Sequence, residues 1–147
     1  MTGGLALASH IIPKILIADD SRFQAQLLAS YLDAKAFEVI FAADALQAWM
    51  AALRSNPAVI LLDINMPGGT GMEVLKRLKI SSKTHDIPVI VVSGDGDPET
   101  ESKARGLGAA DFLHKPVEQD RLCEAVDRVL TSGIAKPNMA DGAKPRG

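Results

Sequence analysis

Cysteine is almost absent. Cys123 stands alone among 147 residues, which excludes an internal disulfide and any metal site built on several thiolates, and fits a reducing compartment. Lying in an amphipathic segment, it reads as a small buried hydrophobe. A basic excess is missing as well. Lys and Arg number 16 against 18 Asp and Glu, a formal charge of −2, and no Lys/Arg run stands out. The chain therefore lacks the charge footprint of a protein that grips nucleic acid through its phosphates, and no direct contact with nucleic acid is expected. Long apolar runs are missing too, since none approaches the roughly 18 residues of a membrane span. The mildly apolar start, MTGGLALASH, has no basic leading region and too short an apolar core for a signal peptide. A cytoplasmic protein without membrane contact is expected.

What is present is a regular alternation. Hydrophobic residues make up 47% of the chain, enough for the core of one domain. Short continuous apolar runs recur at Ile15–Ala18, Val39–Phe41, Val59–Leu62, Val89–Val92 and Phe112–Leu113. Their lack of polar alternation suits strands covered on both faces. Between them lie helix signals. Ser21, Asp44 and Thr70 each stand three residues before Gln24, Gln47 and Glu73 as capping boxes, and Asp97-Pro98 marks a fourth start. A fifth helix carries Leu122, Ala125, Val126, Val129 and Leu130 on one face and ends near Thr131–Gly133. The alternation predicts an α/β fold with a parallel sheet. The expected organisation is a loose extension over residues 1–12, one domain over 13–131, and a flexible tail or linker over 132–147.

In a parallel sheet the strand ends share one edge, where ligand sites form. Asp19 and Asp20 end the first strand, Asp63 the third, Ser93 the fourth and Lys115 the fifth. Each has a bland reading as a helix cap, turn former or solvated charge. Four strand ends agreeing carry the argument.

Three carboxylates brought to one place repel one another and need a cation. Lys115 supplies one charge, and a hard divalent ion on oxygen ligands suits the rest, which points to Mg²⁺. No histidine faces the cluster, so zinc does not fit. A metal, a lysine and a hydroxyl together can neutralise the three oxygens of a phosphoryl group in transfer. Asp63, on the central strand, is then the nucleophile that becomes an aspartyl phosphate, and Pro67, Gly68 and Gly69 keep the loop behind it small.

These residues resemble a known family. The acidic pair Asp19-Asp20, the block Leu61-Leu-Asp63-Ile-Asn65-Met-Pro67 with Gly71 and Glu73 behind it, Ile87-Pro-Val-Ile-Val-Val-Ser93-Gly94, and Phe112-Leu-His-Lys115-Pro116 are similar to the response-regulator receiver domain of two-component signalling. The resemblance covers about residues 13 to 131. It implies a doubly wound, flavodoxin-like sheet of order 2-1-3-4-5 with five helices, phosphorylated by a sensor histidine kinase or a histidine phosphotransfer protein. By position, Asp63 is the implied phosphoacceptor. Asp19, Asp20, Asp63 and the backbone carbonyl of Asn65 are the implied Mg²⁺ ligands. Ser93 is the implied switch hydroxyl, Lys115 the phosphate-pairing lysine and Phe112 the rotating aromatic, with Gly94 and Pro116 in support and Lys115–Pro116 a cis bond.

The implied action is a switch rather than an enzyme. Phosphorylation draws Ser93 toward the phosphate, Phe112 turns inward, and the face of helix four, strand five and helix five exchanges its protein partner, with a phosphorylation-dependent dimer as one form of output. Gly94 leaves the phosphate open to water, and Asn65 and Asp95 flank the site, so a phosphoryl lifetime of seconds to minutes is expected. A stand-alone receiver is the first reading. The alternatives are a receiver cut from a larger multidomain regulator or hybrid kinase and a Mg²⁺-dependent aspartyl-phosphate phosphatase. The phosphatase is disfavoured because Asn65 stands where such enzymes place a second acid. An electron carrier of the same architecture is disfavoured because Asp19 and Asp20 would repel a flavin phosphate. Trp49, Leu46, Met50 and Leu53 share a helical face and read as core. His114 reads as a strand histidine satisfied by a neighbour, facing away from Lys115.

Overall fold

The computed structural model describes residues 12–34, 36–66 and 70–143, with side chains described as far as residue 132. Five strands, β1 (Lys14–Ala18), β2 (Glu38–Ala42), β3 (Val59–Asp63), β4 (Val89–Ser93) and β5 (Asp111–His114), form one sheet of order β2-β1-β3-β4-β5. Every pairing is parallel, with Ile15 level with Val59 and Ile60 level with Val89. Helices α1 (Arg22–Tyr31), α2 (Ala45–Ser55), α3 (Gly71–Ile80) and α4 (Pro98–Gly106) join successive strands, and α5 (Gln119–Ala143) follows β5. The doubly wound α/β expectation holds.

The four predicted caps begin the first four helices. Ser21 Oγ accepts the Gln24 N–H at 3.2 Å, Asp44 Oδ1 that of Gln47 at 2.8 Å, Thr70 Oγ1 that of Glu73 at 3.2 Å and Asp97 Oδ1 that of Glu99 at 3.0 Å. Each such bond stabilises its helix by about 1 kcal/mol, so the helix starts, and with them the ends of the preceding loops, are fixed locally. Helix α5 runs past the stop expected near Thr131–Gly133 to Ala143. A lone glycine costs about 1 kcal/mol in a helix interior and does not by itself end one. Gly108, with φ of 110°, makes the turn from α4 toward β5, a conformation open to glycine and strained for other residues.

Alternate strand residues feed two cores. Leu16, Ile60, Leu62, Val89 and Val91 pack under α2, α3 and α4, while Ile15, Ile17, Leu61, Ile90 and Val92 pack under α1 and α5. All of β3 and β4 is buried, which is why both are apolar without interruption up to their last residues, Asp63 and Ser93. Each large aliphatic side chain taken from water contributes about 1.5–3 kcal/mol, so the central strands are the most firmly held part of the sheet.

One core expectation fails. On α2 the buried residues are Ala45, Ala48 and Ala52, whereas Leu46, Met50 and Leu53 are exposed and Trp49 is half-buried. The alanine stripe is also at helical spacing, and it brings the helix close to the sheet, turning the large side chains outward. Trp49 alone keeps part of the expected packing, lying against the edge of the core with the Arg77 guanidinium over its ring, 4.3 Å from the centroid.

Candidate functional site

The order of the sheet reverses direction between β1 and β3, and the C-terminal ends of these strands are where the acidic residues lie. Carboxylate oxygens of Asp19, Asp20 and Asp63 all lie within 4.8 Å of one another. Asp19 and Asp63 are buried and Asp20 is exposed. The Asp19 backbone N–H extends the ladder by donating to Ala42 O at 3.0 Å. Its Oδ1 accepts the Ser21 N–H at 2.9 Å, and its Oδ2 lies 3.1 Å from Lys115 Nζ. Helix capping falls to Ser21, so neither acid of the pair is taken up as the cap.

Lys115 Nζ also lies 3.6 Å from Asp63 Oδ2. Two like charges at such separations repel by about 3 kcal/mol at an effective dielectric of 20, and one lysine cannot neutralise three carboxylates. Burial first, then the charges of Asp19 and Asp20, push the Asp63 carboxyl above the ordinary aspartate range. The Asn65 N–H and the Lys115 ammonium act against this and only partly offset it. The donors are all carboxylate oxygens, with no histidine or cysteine in the group. That chemistry fits a hard divalent cation and not zinc.

The turn behind Asp63 fixes its direction. Asp63 Oδ1 accepts the Asn65 N–H at 3.1 Å, and the Gly71 N–H donates to Ile64 O at 2.6 Å. A β-carbon at Gly71 would stand 2.4 Å from Asp63 O and 2.5 Å from Ile64 Cα. Only glycine lets α3 begin so close to the acidic strand end. The expected contribution of Pro67, Gly68 and Gly69 falls outside the described residues.

Ser93 ends β4 fully buried, and its Oγ accepts the Asp95 N–H at 2.9 Å. Gly94 is exposed, with open space where a β-carbon would lie. The Lys115 N–H donates to Ser93 O at 2.8 Å, which carries the ladder one residue beyond the strands. The Lys115–Pro116 peptide is cis, and Pro116 itself is exposed. Phe112 lies inward at 2% exposure in the core beneath α2, α3 and α4. The side chain therefore already holds the inward position that was expected of it only after a turn. Exposed Asp95 accepts N–H and hydroxyl donation from Asp97 and Thr100, which hold its carboxyl below the ordinary range. His114 Nε2 lies 3.3 Å from Glu101 Oε1, and its ring centroid is 5.0 Å from that of Phe112.

Asp111 carries no local signal in the sequence, yet it is a centre of charge in the fold. It is buried, begins β5, and meets Arg105, Arg121 and Arg128 at 3.3, 3.3 and 2.9 Å. Burial works to raise its carboxyl, but the guanidiniums and the Phe112 N–H outweigh that and hold it below the ordinary range. A strand-initial aspartate looks like a turn residue, and its partners lie 6 to 17 positions away, so no local spacing signals the cluster.

A doubly wound sheet of this order with three carboxylates and a lysine at its switch-point edge defines a CheY-like receiver fold. Residues 15–127 match the model of the response regulator receiver domain, and the chain belongs to that family of two-component signalling proteins. It is 38% identical over 128 residues to the two-component response regulator ORR11 of Oryza sativa, covering 86% of each chain. It is also 38% identical over 117 residues to the C4-dicarboxylate transport transcriptional regulatory protein DctD of Pseudomonas aeruginosa, covering 80% of this chain. The chain spans about a quarter of the length of DctD and of the response regulator PleD of Caulobacter vibrioides. Among solved structures, the chemotaxis response regulator CheY4 of Vibrio cholerae superposes with a TM-score of 0.75 at 31% identity, over 82% of this chain and 100% of that one. Among the described residues no helix is long and apolar enough to cross a membrane.

Proposed function

We propose that the chain is a phosphorylation-dependent signalling switch whose phosphoacceptor is Asp63. The observation that carries this reading is the convergence of Asp19, Asp20 and Asp63 within 4.8 Å, with Lys115 bridging the two buried acids. The donor is a phosphohistidine on a sensor histidine kinase or a histidine phosphotransfer protein. An Asp63 carboxylate oxygen forms the new bond to phosphorus as the P–N bond breaks, and the electron pair leaves with the imidazole nitrogen.

Mg²⁺ is the cofactor that the donor set fits. Asp19, Asp20, Asp63 and the Asn65 carbonyl would hold it, and when bound it supplies positive charge to the phosphoryl oxygens. The chain's own residues do the rest. Asp63 is aimed by the Asn65 N–H and by the tight Gly71 turn. Lys115 pairs with the incoming phosphoryl oxygens, moving from one anion to another with little rearrangement. The Ser93 hydroxyl exchanges its local bond for the phosphate, and this favours the inward Phe112 over an outward one. A charge near −2 at Asp63 is thereby read as a bias on the face of α4, β5 and α5, where a protein partner is exchanged. Beyond its own phosphorylation and its loss to water, the domain catalyses nothing. Exposed Gly94 leaves the water path open, and the phosphoryl group lasts seconds to minutes.

The test is incubation with acetyl phosphate, with and without Mg²⁺, followed by intact mass. The reading predicts one Mg²⁺-dependent gain of about 80 Da, the mass of a single phosphoryl group on the nucleophile. A gain that ignores Mg²⁺, or no gain with any donor including a phosphohistidine protein, overturns it.

A further inference from the structure

The Asp111 carboxylate is more heavily engaged than any other polar group described. Its Oδ1 accepts the Phe112 N–H at 2.8 Å, Arg105 Nη2 at 3.3 Å and Arg121 Nη2 at 3.3 Å. Its Oδ2 accepts Arg121 Nη1 at 3.3 Å and Arg128 Nη1 at 2.9 Å. Arg105 belongs to α4, Arg121 and Arg128 to α5. One buried anion thus ties both helices to the strand and to the backbone of the aromatic that follows it.

Helix α4 depends on this tie more than its neighbours do. Among its residues only Ala104 is buried, so apolar burial contributes little to its position. Its polar links to β5 are two. Arg105, itself 2.9 Å from Glu101, reaches Asp111, and Glu101 reaches His114, whose ring centroid is 5.0 Å from that of Phe112. The links therefore attach to β5 on either side of Phe112, at the residue before it and the residue two after.

We propose that Asp111 is a positioning residue, a clip that transmits the state of Phe112 to α4 and α5 together; the proposal rests on the phosphoacceptor reading above. Guanidiniums hold their partners by geometry as well as charge. Any shift of Phe112 that moves its N–H moves the carboxylate, and the three arginines follow. Without the clip, the phosphoryl group still forms at Asp63, but α4 and α5 no longer register it.

The experiment is hydrogen–deuterium exchange of the full chain at steady-state acetyl phosphate and Mg²⁺, with intact mass measured in parallel. The wild type is expected to change exchange over 98–106 and 119–132 on phosphorylation. Asp111→Asn is expected to gain the same mass while its response in both segments falls at least threefold. Because Asp111→Asn buries an amide among arginines and can misfold, Arg105→Gln, at a half-exposed position, provides the independent test. It is expected to lose the α4 response and keep that of α5, with Arg105→Lys restoring part of it, whereas a merely structural role would leave the response of a folded variant intact. Wild-type responses in Asp111→Asn and Arg105→Gln at equal mass gain overturn the clip alone. So does a phosphorylated wild type without change over the two segments. A wild type that gains no mass overturns the phosphoacceptor reading, and the clip with it.

Discussion

Lys115 Nζ stands 3.6 Å from Asp63 Oδ2 and simultaneously 3.1 Å from Asp19 Oδ2, so a single ammonium bridges the two buried acids of the site. Removing it leaves buried negative charge without a partner. Lys115→Met is predicted to destabilise the domain by about 1–3 kcal/mol in the absence of divalent ions, and saturating Mg²⁺ is predicted to reduce that loss, since a cation held by the assembled acids would favour the native state. Thermal unfolding with and without Mg²⁺ checks this. Equal melting temperatures for the two proteins without Mg²⁺ would mean that the lysine does not hold the acids together.

Gly71 is predicted to be intolerant of even one methyl group. The β-carbon of Gly71→Ala would overlap Asp63 O and Ile64 Cα, and the backbone must move to admit it, at about 1–3 kcal/mol. Because that backbone carries Asp63, the rate of phosphoryl uptake falls along with stability. Urea unfolding and the time course of mass gain measure the two effects, and a substitution neutral in both would contradict the tight-turn account.

The Asp111 cluster predicts a definite acid limb. Its folded-state carboxyl lies below the ordinary range, so its contribution is present above the unfolded value of about 3.9 and is lost as the pH falls through the folded value. Asp111→Asn is therefore expected to cost about 1–3 kcal/mol at neutral pH, with the gap to wild type closing below about pH 3.9. Denaturant titrations across the acid range test it. A gap of constant size would assign the cost to packing rather than charge.

Trp49 is the sole tryptophan and reports its own environment. Arg77→Gln removes the guanidinium from its ring face and is predicted to shift the emission spectrum while lowering stability by about 0.5–1 kcal/mol. An unchanged spectrum would show that the stacked arrangement is not kept in solution.

The strands and helix starts were legible because their signals are local. Continuous apolar runs mark doubly covered strands, and Ser21, Asp44, Thr70 and Asp97 each stand within a few residues of the N–H they accept. The acidic site was legible because a parallel topology converts strand ends into neighbours, so Asp19, Asp63 and Lys115 meet across a sequence separation of 96. Other features escaped for physical reasons. On α2 the leucine and methionine positions and the alanine positions are both at helical spacing, and the close approach of helix to sheet chose alanine. The Asp111 cluster depends on the placement of two helices around one strand, which no spacing encodes. The continuation of α5 past Gly133 reflects how weakly a single glycine stops a helix.

The most direct test of the central claim is to locate the phosphoryl group. After reaction with acetyl phosphate and Mg²⁺, hydride reduction of the acyl phosphate followed by peptide mapping is predicted to mark Asp63 alone, and Asp63→Asn is predicted to remain unmodified under the same conditions. Modification at Asp19, at Asp20 or at a hydroxyl, or an equal mass gain in Asp63→Asn, would contradict the account.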